Sequence, residues 1–378
     1  MRPAWLSLLV PFLLVTVKLA AGQVAGSTEQ FPRRLVADYG FWSRFQNPPY
    51  GSAQIPFQKL THLLHAGVGL GAKQDGTLDV PAAFLEPDLV SKGHQAGVKV
   101  MLLFGADGAA FSTVAGNPAV RDTLVANLST FVKDNGYDGI DIDWEFPSAP
   151  ADSQPFSDLI SALRGVLPTP DYLISVDVAP WGGEGYNFGS VVPVVDFLNV
   201  MMYDCAGPWT EHGQLNSPVF WDPQNPAPEE CQPGGSANDA ANIYLNDLQV
   251  PAAKLNMGTP FYGYFYRNVS RLFGPCRNCG KTVLSENYGT FIKRHLRQRK
   301  WRAFRDAVSL VPYMLRADGR PGFITYDDPS STFARVSYSL WTRGLGGTFM
   351  WSLDADYDGH SQDLLDAMYS ATLQPPQP

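Results

Sequence analysis

The sequence predicts an α/β fold in which eight parallel strands alternate with helices and close into a (β/α)8 TIM barrel. Eight short apolar runs are spread along the chain, and near-continuous apolar strands are typical of parallel sheets covered on both faces. Amphipathic helical patterns separate these runs. The length of 378 residues suits one barrel with insertions. An open doubly wound sheet is the alternative, but no glycine-rich phosphate loop follows the first run.

The predicted strands are, in chain order, Leu35–Tyr39, Leu60–Val68, Val98–Phe104, Tyr137–Glu145, Tyr172–Ala179, Val195–Tyr203, Lys254–Pro260 and Gly346–Ser352. Between the third and fourth strands, apolar residues recur at helical spacing up to Gly136, namely Val120, Leu124, Leu128 and Phe131. Before the seventh strand, Ser236 is the expected N-cap of a further helix.

The seventh and eighth strands are separated by a much longer segment than the others. Residues 264–328 therefore form an expected insertion, rich in aromatic residues, and the barrel would comprise 31–263 and 329–372. Within the insertion, the basic run Arg294–Arg302 predicts a solvated helix face.

Residues 1–22 have the pattern of a secretory signal peptide. Arg2 supplies a positive charge, Trp5–Val17 an apolar core, and Ala20–Gly22 a cleavage site of small residues. The apolar core is too short to span a bilayer. We expect a secreted, extracellular protein with no membrane anchor.

The formal net charge of −8 gives no electrostatic reason to bind nucleic acid or anionic membranes. It suits a neutral substrate. Separately, we expect a monomer. We expect no cofactor.

Four cysteines in an exported chain predict disulfides, for which three pairings are possible. Cys276 and Cys279 can close a local loop, which leaves Cys205 to pair with Cys231. A redox or zinc site at this Cys-x-x-Cys is the alternative. No second pair of ligands lies near it in the sequence, and we expect no metal site.

Acidic residues alternate with apolar ones along the fourth predicted strand. Side chains of a strand alternate between its faces, so Asp141, Asp143 and Glu145 point the same way. Like charges at this spacing repel, and burial adds a cost, so at least one pKa should be raised. A carboxylic acid that can donate a proton near neutral pH is the expected result. A charged edge strand or a cation site is the alternative.

This stretch, Asp138 to Glu145, resembles the active-site strand of family-18 glycoside hydrolases, the chitinases and their relatives. The resemblance implies that Glu145 protonates the glycosidic oxygen. Asp143 would orient the N-acetyl group of the substrate, with Asp141 one step deeper. The acids share one strand, so none lies across the sugar as a nucleophile. The substrate's own acetamido oxygen would then attack, with retention of configuration.

Other segments add to the resemblance. Met201–Asp204 is similar to the family's Met-x-Tyr-Asp motif, which implies that Tyr203 holds the acetamido oxygen and Asp204 binds the same sugar. Lys254–Gly263 and Gly346–Asp354 are similar to its seventh and eighth strands, and Trp351 would be the aromatic floor beneath the sugar. Three more aromatic residues complete the expected substrate-binding set: Trp209, Tyr39 and Tyr262.

The insertion resembles the small α+β domain that forms one cleft wall in many family-18 chitinases. Two departures from the family pattern stand out. Leu103–Asp107 replaces the usual Ser-x-Gly-Gly after the third strand, and Tyr264 replaces an arginine after the seventh. Both positions line the cleft, which leaves subsite contacts and substrate preference open.

The sequence therefore predicts a secreted hydrolase of β-1,4 linkages between N-acetylglucosamine units in chitin or chitooligosaccharides. A non-catalytic chitin-binding lectin is the first alternative. Such lectins typically lack the motif glutamate, whereas Glu145 is present. A hydrolase of N-glycan cores or peptidoglycan is the second.

Overall fold

The computed structural model describes residues 33–148, 150–231, 234–373 and 375. The predicted signal peptide, 1–22, lies outside the described residues.

Eight parallel strands form a closed barrel, as the sequence predicts. In chain order they are Arg34–Gly40, His62–Leu70, Lys99–Asp107, Gly139–Glu145, Leu173–Val178, Phe197–Val200, Leu255–Pro260 and Gly347–Trp351. Each strand pairs with the next one in this order, and the eighth pairs with the first. A two-residue strand, Leu78–Asp79, pairs antiparallel with the end of the second strand. The fold class is therefore confirmed.

Helices alternate with the strands around the barrel. The longer ones are Leu89–Gln95, Gly108–Ala115, Pro118–Asp134, Ser153–Val166, Ala237–Asn242 continued by Ile243–Asp247, Pro329–Ser337 continued by Tyr338–Thr342, and Asp363–Leu373. Short helical turns are Phe41–Phe45, Phe57–Lys59, Glu184–Tyr186, Phe188–Val191, Pro228–Glu230, Ala252–Lys254 and Leu353–Asp356. None of the helices in the described part of the chain is long and apolar enough to cross a membrane.

Both predicted helix signals are confirmed. The helix Pro118–Asp134 buries Leu124 and Leu128 against the barrel, as the spacing of apolar residues predicts. The Ser236 hydroxyl accepts a hydrogen bond from the Asp239 backbone N–H (3.1 Å) and caps the next helix.

Side chains along each barrel strand point alternately outward, toward the helices, and inward, toward the barrel axis. Trp144 points outward and is fully buried between the helices, stacked on Phe111 (4.9 Å between ring centroids) and edge-on to Phe156 (5.6 Å). Its neighbours Asp141 and Asp143 have the opposite parity and point into the barrel. Apolar burial on the outside therefore stabilises the barrel, while polar side chains collect along its axis.

The insertion contains a second, antiparallel sheet of five strands. Their order across the sheet is Val283–Asn287, Tyr262–Tyr266, Phe323–Thr325, Pro312–Arg316 and Trp301–Arg305. Short helices lie at Cys279–Thr282, Tyr288–Ile292 and Lys293–Leu296. The sheet agrees with an α+β insertion between the seventh and eighth barrel strands. The limits 264–328 stay a prediction, and the first strand of this sheet begins at Tyr262.

The helix predicted over Arg294–Arg302 is wrong. The helix ends at Leu296, and a strand begins at Trp301. Trp301 is buried edge-on against Phe265 (5.4 Å), and its strand pairs with Pro312–Arg316. Sheet pairing and this aromatic contact override the helical preference of the basic residues.

Candidate active site

A cavity of about 470 Å³ opens at the carboxyl ends of the barrel strands. The bottom of the barrel is closed by packed side chains, so the loops at this end are where a ligand can enter. The cavity is lined by Glu145, Phe146, Pro180, Trp181, Met201, Met202, Tyr203, Asp204, Cys205, Trp209, Glu230, Cys231 and Gly234.

Glu145 ends the fourth barrel strand and keeps an exposed surface toward the cavity. Protein atoms surround its other sides. This partial burial is the main reason why the pKa of Glu145 is raised, and the negative charge of Asp204 raises it further. A glutamic acid that holds its proton at higher pH than usual, facing a cavity, is suited to general acid catalysis.

Asp143 and Asp141 lie below Glu145 on the same face of the strand. Burial raises the pKa of Asp143 well above its usual range, and the charges of Glu145 and Asp141 raise it further. Burial also raises the pKa of Asp141, to about 7, although hydrogen bonds oppose this effect. Asp141 accepts from the Ser175 hydroxyl and from Asn199 Nδ2 (3.1 Å).

Room for Asp143 comes from a glycine on the third strand. Gly105 lies opposite Asp143 in the parallel register. A Cβ atom at Gly105 would lie 3.2 Å from Asp143 Oδ2, tighter than ordinary packing allows. The absence of a side chain here leaves the Asp143 carboxyl group its space.

Tyr203 and Asp204 follow the sixth strand and line the cavity beside Glu145. The Tyr203 ring packs edge-on against Tyr262 (6.1 Å). Burial raises the pKa of Tyr203 well above its usual range, so the phenol keeps its proton. Asp204 has a left-handed backbone (φ 64°), and its N–H donates to Asn216 Oδ1 (2.9 Å).

The Asp204 carboxylate is held by two tyrosines. Tyr262 Oη donates to Asp204 Oδ1 (2.5 Å), and Tyr264 Oη donates to the same oxygen (2.7 Å). Burial raises the pKa of Asp204, while these two hydrogen bonds lower it. Asp204 thus has a fixed orientation beside Glu145.

Tryptophan rings surround the mouth of the barrel. Trp351 ends the eighth strand, half-buried, with its ring centroid 6.4 Å from that of Trp42. Trp209 is 57% exposed and Trp181 is 43% exposed. The apolar faces of sugar rings pack well on such surfaces, so the rim is chemically suited to a carbohydrate.

Residues 35–356 match the family model of glycosyl hydrolases family 18. The chain belongs to this family.

Two curated relatives illustrate the range of similarity to this family-18 chain. Chitinase 1 of Aphanocladium album is 27% identical over 359 residues, which cover 85% of this chain and 81% of that protein. Chitinase A1 of Niallia circulans is 28% identical over 283 residues, or 68% of this chain, but this match spans only 40% of that protein.

Solved structures of low sequence identity share the fold of this family-18 chain. The Group IV chitinase of Ostrinia furnacalis, in complex with allosamidin, has a TM-score of 0.78 at 24% identity, covering 89% of this chain and 98% of that one. A mutant of the class V chitinase from Nicotiana tobaccum, in complex with NAG4, has a TM-score of 0.77 at 22% identity, covering 90% and 99%.

Tyr39, which the sequence predicts to bind substrate, does not reach the cavity of this family-18 chain. Its side chain has no exposed surface. It stacks on His65 (5.5 Å), and its hydroxyl donates to Glu86 (2.8 Å) outside the barrel. Strand parity explains the difference, since the preceding residue, Asp38, is the one that faces the barrel axis. Tyr262 also stays out of the cavity lining and contacts Asp204 instead.

Sequence reasoning missed two acids of the site, Asp38 on the first strand and Asp177 on the fifth. Both are buried in the barrel, and their charges act on those of Asp141 and Asp143. The sequence did contain a hint of these acids, because each is the single carboxylate within a mainly apolar predicted strand. The contact of Tyr264 with Asp204 was also missed, because it depends on how the inserted sheet meets the barrel.

The structure joins Cys205 to Cys231 and Cys276 to Cys279. The first disulfide borders the cavity directly after Asp204. Among the described residues, no group of three or more His, Cys, Asp or Glu side chains is arranged to hold a metal ion.

Proposed function

We propose that this family-18 chain hydrolyses β-1,4 linkages between N-acetylglucosamine units of chitin or chitooligosaccharides. The observation that carries the proposal is the position of Glu145 above Asp143 on one strand, with Tyr203 and Asp204 beside Glu145 in the cavity. This arrangement fits retaining hydrolysis in which the substrate's acetamido oxygen is the nucleophile.

In the first step, Glu145 donates its proton to the glycosidic oxygen. The bond from that oxygen to the anomeric carbon breaks, and the acetamido oxygen forms a new bond to the same carbon. The resulting oxazolinium ion carries a positive charge, which Asp143 stabilises from below. The Tyr203 hydroxyl orients the acetamido group.

In the second step, the Glu145 carboxylate takes a proton from water. The water oxygen attacks the anomeric carbon, and the ring of the oxazolinium ion opens to restore the acetamido group. Two displacements at one carbon return the original β configuration. Glu145 ends the cycle protonated, ready for the next substrate.

An enzyme carboxylate is less suited to act as the nucleophile. Besides Glu145, the acids that line the cavity are Asp204 and Glu230. Asp204 is held by two tyrosine hydroxyls. Glu230 is bound to His212 Nδ1 (2.7 Å) and Gln214 Nε2 (3.0 Å). Neither is free to attack a sugar carbon.

The relatives support the substrate class. The curated relatives named above are chitinases, and the two solved structures are complexes with allosamidin and with NAG4. We propose the same class of ligand here, bound along the tryptophan rim, with the insertion 264–328 forming one wall of the cleft. We also propose that the protein is secreted and acts as a monomer, since two disulfides suit an oxidising compartment.

The test is the substitution Glu145→Gln, assayed on chitooligosaccharides. An amide cannot donate the proton, so turnover should fall by about 10²–10⁴-fold. Binding of the oligosaccharide, followed by tryptophan fluorescence, should persist and shows that the variant is folded. Turnover above half of the wild-type value would remove Glu145 as the acid.

Proton NMR of the wild-type products tests the stereochemistry. The β anomer should appear first, before mutarotation. Early α anomer would mean inversion, which requires a carboxylate that activates water on the opposite face of the sugar.

A further inference from the structure

Asp38 and Asp177 are buried carboxyl groups inside the barrel that have no role in the proposed reaction. Asp38 lies on the first barrel strand and has no exposed surface, and Asp177 lies on the fifth strand and is 2% exposed. Asp177 is the direct neighbour of Asp143 in the parallel register. An isolated buried carboxylate is costly, so both groups require compensation.

Cations do not supply that compensation. Asp38, Asp141, Asp143 and Asp177 take part in none of the ion pairs formed within residues 33–148, 150–231 and 234–373. The guanidinium of Arg34 is connected to the cluster only indirectly, by a series of hydrogen bonds through two asparagine side chains. Arg34 Nε donates to Asn256 (2.9 Å), Asn256 Nδ2 to Asn199 (2.8 Å), and Asn199 Nδ2 to Asp141 (3.1 Å).

The groups around Asp177 are mostly acids. Asp141 and Asp143 face it from the fourth strand, Asn199 from the sixth and Asp38 from the first. The hydroxyls of Tyr203 and Tyr186 also lie in the field of this cluster. Full ionisation would place four negative charges together in a low-dielectric interior, which is energetically prohibitive.

Several carboxyl oxygens of the cluster accept no hydrogen bond from the N–H and O–H groups of the described residues. They are both Oδ atoms of Asp38, Oδ2 of Asp141, Oδ1 of Asp143 and Oδ1 of Asp177. Two ionised carboxylates cannot bond to each other, because both only accept. A protonated carboxyl group becomes a donor, and a proton between two acids satisfies both.

The surroundings decide which acid keeps its proton. Asp141 accepts hydrogen bonds from Ser175 and Asn199 and shares one with Asp177. These bonds limit the rise that burial causes, so the pKa of Asp141 is about 7. Burial raises the pKa of Asp177 well above its usual range, and the charges of Asp141, Asp143 and Asp38 raise it further. Asp38 is affected in the same way. Asp141 therefore ionises before Asp177 as the pH rises.

We propose that Asp177, together with Asp38, is a positioning residue for the hydrolysis proposed above: its neutral carboxyl group donates a hydrogen bond to Asp141 and holds the Asp141 and Asp143 side chains beneath the acetamido site. The inference rests on the proposed function for its catalytic consequence. The neutral state of Asp177 is a property of the fold and can be measured without any substrate.

The first test compares the thermal stability of wild type and Asp177→Asn from pH 4 to pH 8. A carboxyl group whose pKa is raised by folding stabilises the native state fully below its unfolded pKa of about 4. That stability is lost as the pH rises toward the native pKa. An amide has no such dependence, so the fall in Tm should be smaller in the variant, by about 2 °C or more at pH 8.

Asp171→Asn is the matched control, since Asp171 is exposed in the turn before the same strand. It removes one carboxylate without touching the cluster, and its Tm should follow that of wild type. An equal pH dependence in wild type and Asp177→Asn would overturn the proposal, because Asp177 would then be ionised in the native protein.

The second test separates positioning from simple packing. Asp177→Asn retains a neutral donor, whereas Asp177→Leu removes it at similar volume. The kcat of the Asn variant should exceed that of the Leu variant by about tenfold or more, with KM values within about threefold, because a hydrogen bond to a charged group is lost. Equal kcat values would overturn the positioning role.

If Asp177→Leu does not fold, the pH dependence of Asp177→Asn decides alone. If wild type hydrolyses no chitooligosaccharide, the proposed function fails, while the stability measurement still reports whether Asp177 is neutral. The two failures are therefore distinguishable.

Discussion

Glu145 and Asp204 are electrostatically coupled across the cavity. Asp204 is exposed on the cavity side and fixed by Tyr262 and Tyr264. Burial is the main cause of the raised pKa of Glu145, and the negative charge of Asp204 is the second cause. The position of Tyr264 commonly carries an arginine in the resembled pattern. A tyrosine orients Asp204 without neutralising its charge, so the negative charge of Asp204 acts on Glu145.

Asp204→Asn should therefore move the alkaline limb of the kcat/KM profile to lower pH. The limb reports loss of the proton from Glu145, and removal of a nearby negative charge lowers that pKa. Asparagine also tolerates the left-handed backbone at this position. The profile should be measured on chitooligosaccharides from pH 3 to pH 9.

Asp247→Asn is a suitable control for this measurement, because Asp247 is exposed on a helix away from the cavity lining. Its limb should coincide with that of wild type. A limb that stays in place or moves upward in Asp204→Asn would contradict the coupling.

At the scale of strands and loops, the sequence identifies elements better than it identifies their faces. All eight barrel strands are marked by apolar runs, because their outer sides are buried by helices. The face of a residue changes with a shift of one position: the sequence predicts Tyr39 in the cleft, whereas the structure has Asp38 facing the barrel axis. In the fourth strand, three acids at alternate positions fix the parity without ambiguity.

Contacts between distant segments are beyond such reasoning. The bonds from Tyr262 and Tyr264 to Asp204 join residues about 60 positions apart, and nothing local to either segment encodes them. The same applies to Asp177, whose proposed neutral state depends on acids from two other strands. Asp138 differs from the acids that follow it: it has the opposite parity, and its side chain accepts a hydrogen bond from the backbone N–H of Val100 (2.8 Å).

The two disulfides should differ in their contribution to stability. Cys205 and Cys231 are 26 positions apart, whereas Cys276 and Cys279 are 3 apart. The loop-entropy relation gives about 3–4 kcal/mol for the longer loop and about 2 kcal/mol for the shorter one. Paired Cys→Ser variants should show this order in the free energy of unfolding, measured by denaturant titration.

Peptide mapping without reduction is the accompanying control and should recover the same two pairs. A larger loss for Cys276→Ser/Cys279→Ser than for Cys205→Ser/Cys231→Ser would contradict the entropic argument.

At the scale of the molecule, the insertion is anchored to the barrel by a buried lysine. Lys293 Nζ contacts Asp358 Oδ2 (2.9 Å) and Asp363 Oδ2 (2.8 Å), beyond the eighth strand. Burial alone would raise the pKa of Asp358, but hydrogen bonds from Lys293, Ser361 and His360 lower it. The anchor therefore holds the insertion against the segment that follows the eighth barrel strand.

Lys293→Met should reduce the free energy of unfolding at pH 7 by about 1–3 kcal/mol, between the values for exposed and buried ion pairs. A carboxylate with a lowered pKa stabilises the fold above its unfolded pKa of about 4, and this contribution is lost as the pH falls. The difference from wild type should thus shrink at pH 3.

Denaturant titrations at the two pH values provide the measurement, with Lys281→Met as the exposed counterpart in the same insertion. A loss for Lys293→Met that is no greater than that for Lys281→Met would show that the anchor contributes nothing measurable.

The disulfide between Cys205 and Cys231 makes the conformation of the proposed site depend on the compartment in which the chain folds. Cys205 directly follows Asp204, and both cysteines border the cavity. Such bonds form in oxidising compartments rather than in the cytoplasm. The loop that presents Asp204 is therefore held in place only in a compartment whose redox conditions let this disulfide form.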